Sequence, residues 1–516
     1  MTEPASISEK TQASTRQLAI NVGSNMVVMA LNIIIGIWFT PYLIGVLGIA
    51  AFGIATLALS ISNYMAIFDS ALNNAIGRFL AIDLGKNDDR KASKTFNSAL
   101  TLSLVTSALL LPVISLVAWL SATIFDVPAN QERQTQLVFF MAMFSYLLFF
   151  IRGVFSSSTF ARNRLELQNT ILATNVLLRV ILTVLFFGIA AVPSLVHVGL
   201  GQMISTLVSL VLAVAIMKYL IPQIKIDPRN FDRMQTSVLL GMSGWVFVNQ
   251  LGSLLFLNID QIIINRSLGA TTQGLYSSAL QWSILLRSLA RTFSTAIAPL
   301  MVFQFAAGNN KTLTNTSILS VKLLGLAMAL PVGLISGLAI PLLRIWLGEG
   351  FDSLAQLLNL LVLPLSVNLA ILPLFSLQVA YNRVKIPGIA SLLFGVLNLV
   401  IALRWVSWGQ YGLGVAAASA IILTIKNGLF TPVYVARIQQ LPWHTYFPSL
   451  LITVAASFIV MMTSRWAANN LNIESWVYLG LICGVITLLY GLLAFGLALK
   501  ASERRILFHI AYRRRR

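Results

Sequence analysis

Apolar residues in this chain neither alternate nor keep to one helical face. They run on for about twenty residues at a time, separated by short polar stretches. A helix crossing the hydrocarbon core of a bilayer needs roughly 20 apolar residues. Fourteen such runs can be placed, near residues 18–40, 47–76, 96–120, 137–157, 168–190, 195–217, 238–264, 271–301, 316–340, 354–380, 386–405, 411–436, 447–467 and 475–498. The pattern therefore predicts an all-α membrane protein of about 14 transmembrane helices.

The stretch Thr40 to Lys94 shows how the spans are oriented. A turn from Pro41 to Gly48 carries no Lys or Arg, whereas the loop after Gly77 carries Arg78, Lys86, Arg90, Lys91 and Lys94. Positive charge is retained on the cytoplasmic side, so the turn faces out and the loop faces in. Of the 35 Lys and Arg, five fall in outside loops (Arg133, Arg266, Arg344, Arg404, Arg465) and four within spans (Arg179, Arg287, Arg291, Lys426). The remaining 26 are assigned to inside loops and tails. Both termini are thus expected in the cytoplasm.

The same unit recurs 221 residues later. Leu47, Gly48, Gly53, Ala58 and Leu59 are matched by Leu268, Gly269, Gly274, Ala279 and Leu280, and Gly85 nearly by Gly308. Two copies in one orientation imply two six-helix lobes related by a pseudo-two-fold axis along the membrane normal. The expected order is a cytosolic tail (1–17), an N-lobe (18–217), a cytosolic linker (218–237) and a C-lobe (238–437). A terminal helix pair (438–499) and a basic tail (500–516) ending in Arg513 to Arg516 complete it.

With 57% apolar and only 10% charged residues, the chain departs from soluble domains, where about a quarter of residues are charged. A net charge of +19 would point to nucleic acid in a soluble protein. Here it sits in loops on one side and reports topology, so no nucleic-acid partner is expected. One cysteine, Cys483, excludes a disulfide framework and a thiolate metal site. The N-terminal segment, with Glu3 and Glu9, reads as a cytosolic tail rather than a signal peptide.

Candidate chemistry is sparse. No GxxxxGK[ST] loop is present, which argues against direct ATP hydrolysis. His197, His444 and His509 are scattered and lack zinc spacing. Asp88-Asp89 could belong to a glycosyltransferase, but beside Lys86 and Arg90 they read as a solvated turn. No catalytic constellation, cofactor or metal is expected, and the protein is not read as an enzyme.

Polar groups inside the spans are the remaining signal, because an ionisable residue in hydrocarbon is costly. Arg179 and Lys426 fall near mid-bilayer. Ser283, Arg287, Arg291 and Ser294 lie on one helix face within about 80°, expected to look into the protein. Buried cations without acidic neighbours in sequence favour an anionic ligand, and the planar fork of Arg suits phosphate. Pairing with backbone carbonyls or with Asp69 is the structural alternative. Asn21, Asn25 and Asn32 form one polar stripe, Asn249, Ser253 and Asp260 another, and Ser62, Asp69 and Asn73 a third. These stripes either line a hydrated cavity that touches sugar hydroxyls or bond neighbouring helices together. Asp69 and Asp260, close to an interface, are candidates for a coupling cation. Pro112, Pro299, Pro331, Pro364, Pro373 and Pro432 fall within spans, where bent helices can open and close the ends of a cavity.

The stretch YLIGVLGIAAFGIATLALSISNYMAIFDSALNNAIGRFLA, followed by GKNDDRKA, resembles the polysaccharide-exporter branch of the multidrug/oligosaccharidyl-lipid/polysaccharide exporter superfamily. That branch includes bacterial O-antigen and related lipid-linked oligosaccharide flippases. The resemblance is greatest over residues 18–100, and the architecture extends it to the whole chain. It implies a V-shaped cavity between lobes and a polyprenyl-diphosphate-linked glycan moved from the inner to the outer leaflet of a bacterial plasma membrane. Glycosyltransferases and a polysaccharide polymerase are the partners it implies.

Such a substrate has an anionic diphosphate, many hydroxyls and an apolar tail, which matches buried cations and amides. The expected diphosphate ligands are Arg287, Arg291, Arg179 and Lys426. The glycan would meet Asn21, Asn25, Asn32, Asn73, Asn249, Ser283 and Ser294. The alternatives are a small-molecule cation antiporter, which needs a mid-membrane acid, and a peptidoglycan-precursor flippase. From a different class comes an intramembrane glycan polymerase or ligase, which would be expected to carry a large outside loop.

Overall fold

The computed structural model describes residues 7–227, 230–236, 251–252, 254, 256, 258–498 and 503–504. Side chains are described for all of these except 7–16, 18, 66–75, 296 and 497. Every regular element among the described residues is helical. Twelve helices there are long and apolar enough to cross a membrane. The expected span 47–76 is found as a helix, a 3-10 turn at Asn63–Met65 and a second helix. Most of the expected span 238–264, with Asn249 and Ser253, lies outside the described residues, as does the Arg513 to Arg516 tail.

The chain divides into two compact units, Met1–Ser277 and Ser278–Arg516. The first contains α1 (Ile7–Leu47), α2 (Ile49–Ser62), α3 (Ala66–Gly85), α4 (Asp89–Ile124), α5 (Glu132–Ala161), α6 (Leu165–Ile189) and α7 (Leu195–Leu220). Around α5 gather α2, α3, α4, α6 and α7. The chain passes into the second unit along α8 (Ile259–Ala306) and continues as α9 (Asn310–Gly337), α10 (Ala339–Leu347), α11 (Ala355–Val362), α12 (Leu365–Ala370) and α13 (Leu372–Ala380). Then come α14 (Lys385–Trp405), α15 (Leu413–Ile425), α16 (Thr431–Ile438), α17 (Phe447–Asn470) and α18 (Trp476–Leu493).

Two expectations about Thr40 to Lys94 are corrected. The segment Pro41 to Gly48 is not a turn: α1 continues through Pro41, and the backbone breaks only at Gly48, with φ 82° and ψ 161°. A side chain is strained in that conformation, which leaves it essentially to glycine. The basic loop also shrinks to a few residues, because α3 runs to Gly85 and α4 starts at Asp89. Lys and Arg are good helix formers, so a helix can continue past the apolar run that crosses the bilayer. Asp88 caps α4 by accepting from the Lys91 backbone N–H at 2.9 Å, which gives the Asp88-Asp89 pair a structural role.

The repeat is preserved in backbone detail. Within α8 the chain breaks at Gly269, with φ 89° and ψ 168°, the counterpart of Gly48. The helix restarts there under a carboxylate, since Asp126 Oδ2 accepts from the Ala270 N–H at 2.8 Å. Asn265 holds the Asp126 backbone from both sides, at 3.0 and 3.2 Å.

In the second unit, Gly325, Gly333 and Gly337 face Thr453, Val460 and Ser464 of α17. Without a strong hydrophobic drive between helices in lipid, such small residues let backbones approach and gain van der Waals contact. Large apolar side chains such as Leu109, Trp119, Leu451 and Leu488 are exposed, as lipid contact requires. The part of the linker that is described lies against α4. Asn97 donates to the Lys225 carbonyl at 2.9 Å, the Asp232 N–H donates to Ser98 Oγ at 2.8 Å, and Lys94 pairs with Asp232 at 3.1 Å.

Candidate functional site

The apolar run FFIRGVF puts Arg152 nine residues before the end of α5, about 14 Å along the helix at ~1.5 Å per residue. The charge tally counted it with the inside loops, although the expected span 137–157 contains it; in α5, which extends to Ala161, it is only 4% exposed. Lys322, likewise counted with the inside although the expected span 316–340 contains it, lies twelve residues into α9 and is also 4% exposed. Each stands alone in an apolar run, and that isolation was the available signal.

Arg152 belongs to a buried polar ladder across α5, α6 and α7. Its Nη1 donates to Ser209 Oγ at 3.4 Å, and its guanidinium lies 4.1 Å from the Phe149 ring centroid. Asn175 donates to Thr206 Oγ1 at 3.2 Å and to Ser209 Oγ at 3.5 Å, and Gln202 donates to Thr206 Oγ1 at 3.3 Å. At the far end Arg179 Nη1 donates to Gln202 Oε1 at 3.4 Å. The Arg179 Nε is buried and has no hydrogen-bond partner. Among the described residues no carboxylate is ion-paired with Arg179. Gly201 permits this packing of α6 on α7, because a methyl added there would lie 2.5 Å from Thr183 Oγ1.

Beside Arg152 the first unit has a cavity of about 330 Å³, lined by Gly77, Phe149, Arg152, Ser156, Phe160 and Gln168 among others.

In the second unit, Arg287 Nε donates to Ser283 Oγ at 3.2 Å, so the expected four-residue stripe on α8 is real at that step. It does not look inward throughout: Ser283 and Ser294 are buried, Arg287 is half-buried and Arg291 is exposed. A charge at that depth must be hydrated or paired. Lys426 is buried at the start of a π-helical turn, Lys426–Phe430, with its Nζ 5.8 Å from the Phe375 ring centroid. Such turns are frequent at functional sites because they displace side chains and free a carbonyl. The buried Asn368 Oδ1, Gln378 Nε2 and Asn427 Oδ1 of this unit have no hydrogen-bond partner.

Other expected residues take individual places. Asn21 donates to Asn163 Oδ1 at 3.2 Å and bonds α1 to the α5–α6 connection, while Asn32 donates to its own helix at Val28 O. Asn25 is exposed. Asp69 and Asn73 are on α3 with side chains outside the described set. Asp260 is buried and accepts from Tyr276 Oη at 3.0 Å. Nearby along the same helix Gln273 donates to Gln261 and to Ser277, both at 3.0 Å. Lys322 pairs with Glu503 at 2.7 Å, which ties the residues after α18 back to α9.

A family model described as "Polysaccharide biosynthesis protein" matches residues 18–304, more than half of the chain. The chain belongs to that family. It is 31% identical over 491 residues to "Uncharacterized membrane protein EpsK" of Bacillus subtilis (strain 168), covering 95% of this chain and 97% of that protein. It is 26% identical over 390 residues to "Putative O-antigen transporter" of Shigella flexneri, covering 74% and 89%. Among solved structures it resembles "Lipid II flippase MurJ, inward closed conformation", with a TM-score of 0.66, 13% identity, and coverage of 93% of this chain and 99% of that one. This polysaccharide biosynthesis protein is thus a multi-pass membrane protein whose helical fold is like that of MurJ.

Proposed function

We propose that this polysaccharide biosynthesis protein is a flippase. It moves a polyprenyl-diphosphate-linked oligosaccharide from the inner to the outer leaflet of a bacterial plasma membrane, with both termini in the cytoplasm. One observation carries the reading. Arg179 holds a buried guanidinium nitrogen without a hydrogen-bond partner and, among the described residues, without a carboxylate. A cation kept in that state inside an apolar span is costly, and a diphosphate would offset the cost with charge-assisted hydrogen bonds. Membership of the polysaccharide biosynthesis family and the similarity to the Shigella protein named for O-antigen support the same cargo class.

In this reading Arg287, Arg291, Arg179 and Lys426 hold the diphosphate, while Ser283, Ser294 and the asparagines Asn25, Asn73 and Asn249 meet the glycan. Asp260, with Tyr276 on its carboxylate, and Asp69 take a coupling cation. Glycosyltransferases supply the substrate and a polymerase consumes it. The test is complementation of a flippase-null strain by Arg179→Gln and by the Arg287→Ala/Arg291→Ala pair. Loss of surface glycan, with normal insertion into the membrane, is the expected result. Full complementation by both would refute the diphosphate assignment.

A further inference from the structure

The described part of the linker, residues 218–227 and 230–236, has one side fixed and one side exposed. Ile221 and Ile224 turn inward and are buried in the same apolar cluster as Ala92 and Phe96 of α4. Asn97 holds the chain with both ends of its amide: Nδ2 donates to the Lys225 carbonyl and Oδ1 accepts from the Asp227 N–H, each at 2.9 Å. Ser98 Oγ accepts from the Asp232 N–H at 2.8 Å and donates to the Asp232 carbonyl at 3.3 Å. The linker is therefore a strap laid along the first turns of α4.

The face of α4 that it covers decides what it meets. Ser98, Val105, Leu109 and Leu116 fall within about 40° of one another around a helix. The last three are at least half exposed, as lipid-facing positions must be, whereas Ser98 on the same stripe is fully buried beneath the strap. Ser98 lies seven residues before Val105, about 10 Å along the helix at ~1.5 Å per residue. Headgroups add roughly 5–8 Å to each side of the hydrocarbon core. A strap on that stripe at that distance lies where acyl chains give way to headgroups.

Its outer side has the composition that such a layer selects. Tyr219, Ile226, Phe231 and Met234 are exposed, Met234 at 78%. Between them stand Lys218, Lys225 and Arg233, also exposed. The connection from α3 to α4 adds exposed Lys86, Arg90 and Lys91. The acids of this face are fewer. Asp232 pairs with Lys94, Asp88 caps α4, and Asp89 accepts from Gln223 at 3.3 Å; Asp227 is the other acid among the described residues of the strap.

We propose that the strap docks on anionic lipid headgroups, with Phe231 and Met234 inserted at the acyl boundary and Lys218, Lys225 and Arg233 on the lipid phosphates. The apolar side chains supply depth, and the basic ones favour anionic over zwitterionic lipid. Neither the cargo nor the leaflet in which the strap lies enters into this docking.

The experiment uses the full-length protein with Cys483→Ser, carrying an environment-sensitive fluorophore at Met234→Cys. It is placed in nanodiscs of phosphatidylcholine with rising fractions of phosphatidylglycerol, and a headgroup-spin-labelled lipid is the quencher. Quenching should grow with phosphatidylglycerol and fade in high salt, which screens the attraction. Lys225→Gln/Arg233→Gln should need about tenfold more phosphatidylglycerol for the same quenching. In the unlabelled protein, native mass spectrometry should find less phosphatidylglycerol retained by that variant than by the parent, with thermal unfolding as the check of folding. The docking is refuted if the label stays in water at every lipid composition, or if quenching is the same with and without phosphatidylglycerol and in the charge variant. It is also refuted if the label is shielded only when a cytosolic extract is added, which would give the strap to an acidic protein partner. Complementation has no bearing on these readings, so this docking and the diphosphate assignment can fail separately.

Discussion

Gly53 and Gly274, 221 residues apart, meet backbone to backbone: a methyl added at Gly53 would lie 2.7 Å from the Gly274 nitrogen and 2.5 Å from the Ala270 carbonyl oxygen. The contact is reciprocal, since a methyl at Gly274 would overlap the carbonyl of Ile49, the counterpart of Ala270. About one turn on, Thr56 Oγ1 donates to Ser277 Oγ at 2.9 Å, again across 221 residues. Equivalent positions of the two copies thus meet in a contact that reads the same from either side.

Substitution at this crossing should therefore be severe. Gly274→Val must push α8 away from the Ile49 carbonyl of α2, and backbone cannot swing aside as a side chain can. A loss of about 1–3 kcal/mol or more is expected from overpacking of this kind, read as a lower unfolding midpoint in detergent. Thr56→Val should cost about 1 kcal/mol through one hydrogen bond. Equal tolerance of the two changes would show that the close approach is dispensable.

The α9–α17 contact gives a second case. A methyl on Gly337 would lie 2.5 Å from the Met461 carbonyl oxygen, and one on Gly333 would lie 2.6 Å from Val460 Cβ. Gly337→Leu is expected to detach α17 and lower stability by at least about 2 kcal/mol. Exposure of a cysteine introduced at Ser464 to thiol reagents reports that detachment. Unchanged protection of that cysteine would contradict the packing.

Lys322 and Glu503 form the most buried of the ion pairs among the described residues, with side chains 6% and 17% exposed. Glu503→Gln leaves the ammonium buried without its paired carboxylate, and breaking such pairs costs roughly 3–5 kcal/mol. Replacing both partners, as Lys322→Met/Glu503→Gln, should recover most of that loss. Additive losses in a double-mutant cycle would mean that the pair is not coupled.

Acid should loosen the linker. The Asp232 carboxyl is held below its ordinary value, first by the Lys94 side chain and then by the Gln235 and Met234 N–H groups. A lowered folded pKa gives a contribution that is present above the ordinary value of about 3.9 and is lost as pH falls through the lowered one. Intrinsic-rate-corrected amide exchange at Met234 to Thr236 should rise across that acid window in the parent. In Asp232→Asn it should already be fast and flat with pH. A parallel rise in the variant would show that another group is responsible.

Much of this was legible before any coordinates. Length of apolar runs fixes a bilayer environment because unsatisfied backbone polar groups are costly in lipid, and helices remove that cost locally. The repeat was visible as glycines at a fixed offset, and the backbone breaks at Gly48 and Gly269 bear it out. Helix ends were harder to read. Apolar runs mark where lipid is, but α4 begins before its run, at Asp89, and α5 continues past its own to Ala161.

The sequence by itself determined that the chain is helical, lives in a membrane, repeats one unit and spends charge sparingly inside its spans. All of that follows from local hydropathy and from spacing along one strand of chain. Only the tertiary structure decided which polar groups meet. A helical wheel gives the angle of Arg179, Asn175 or Arg152 on its own helix, but not the neighbouring helix that the angle faces. Gln202 and Thr206 of α7 became partners of Arg179 and Asn175 because Gly201 lets α6 and α7 close to contact. That condition is set by two distant segments together and is written in neither alone.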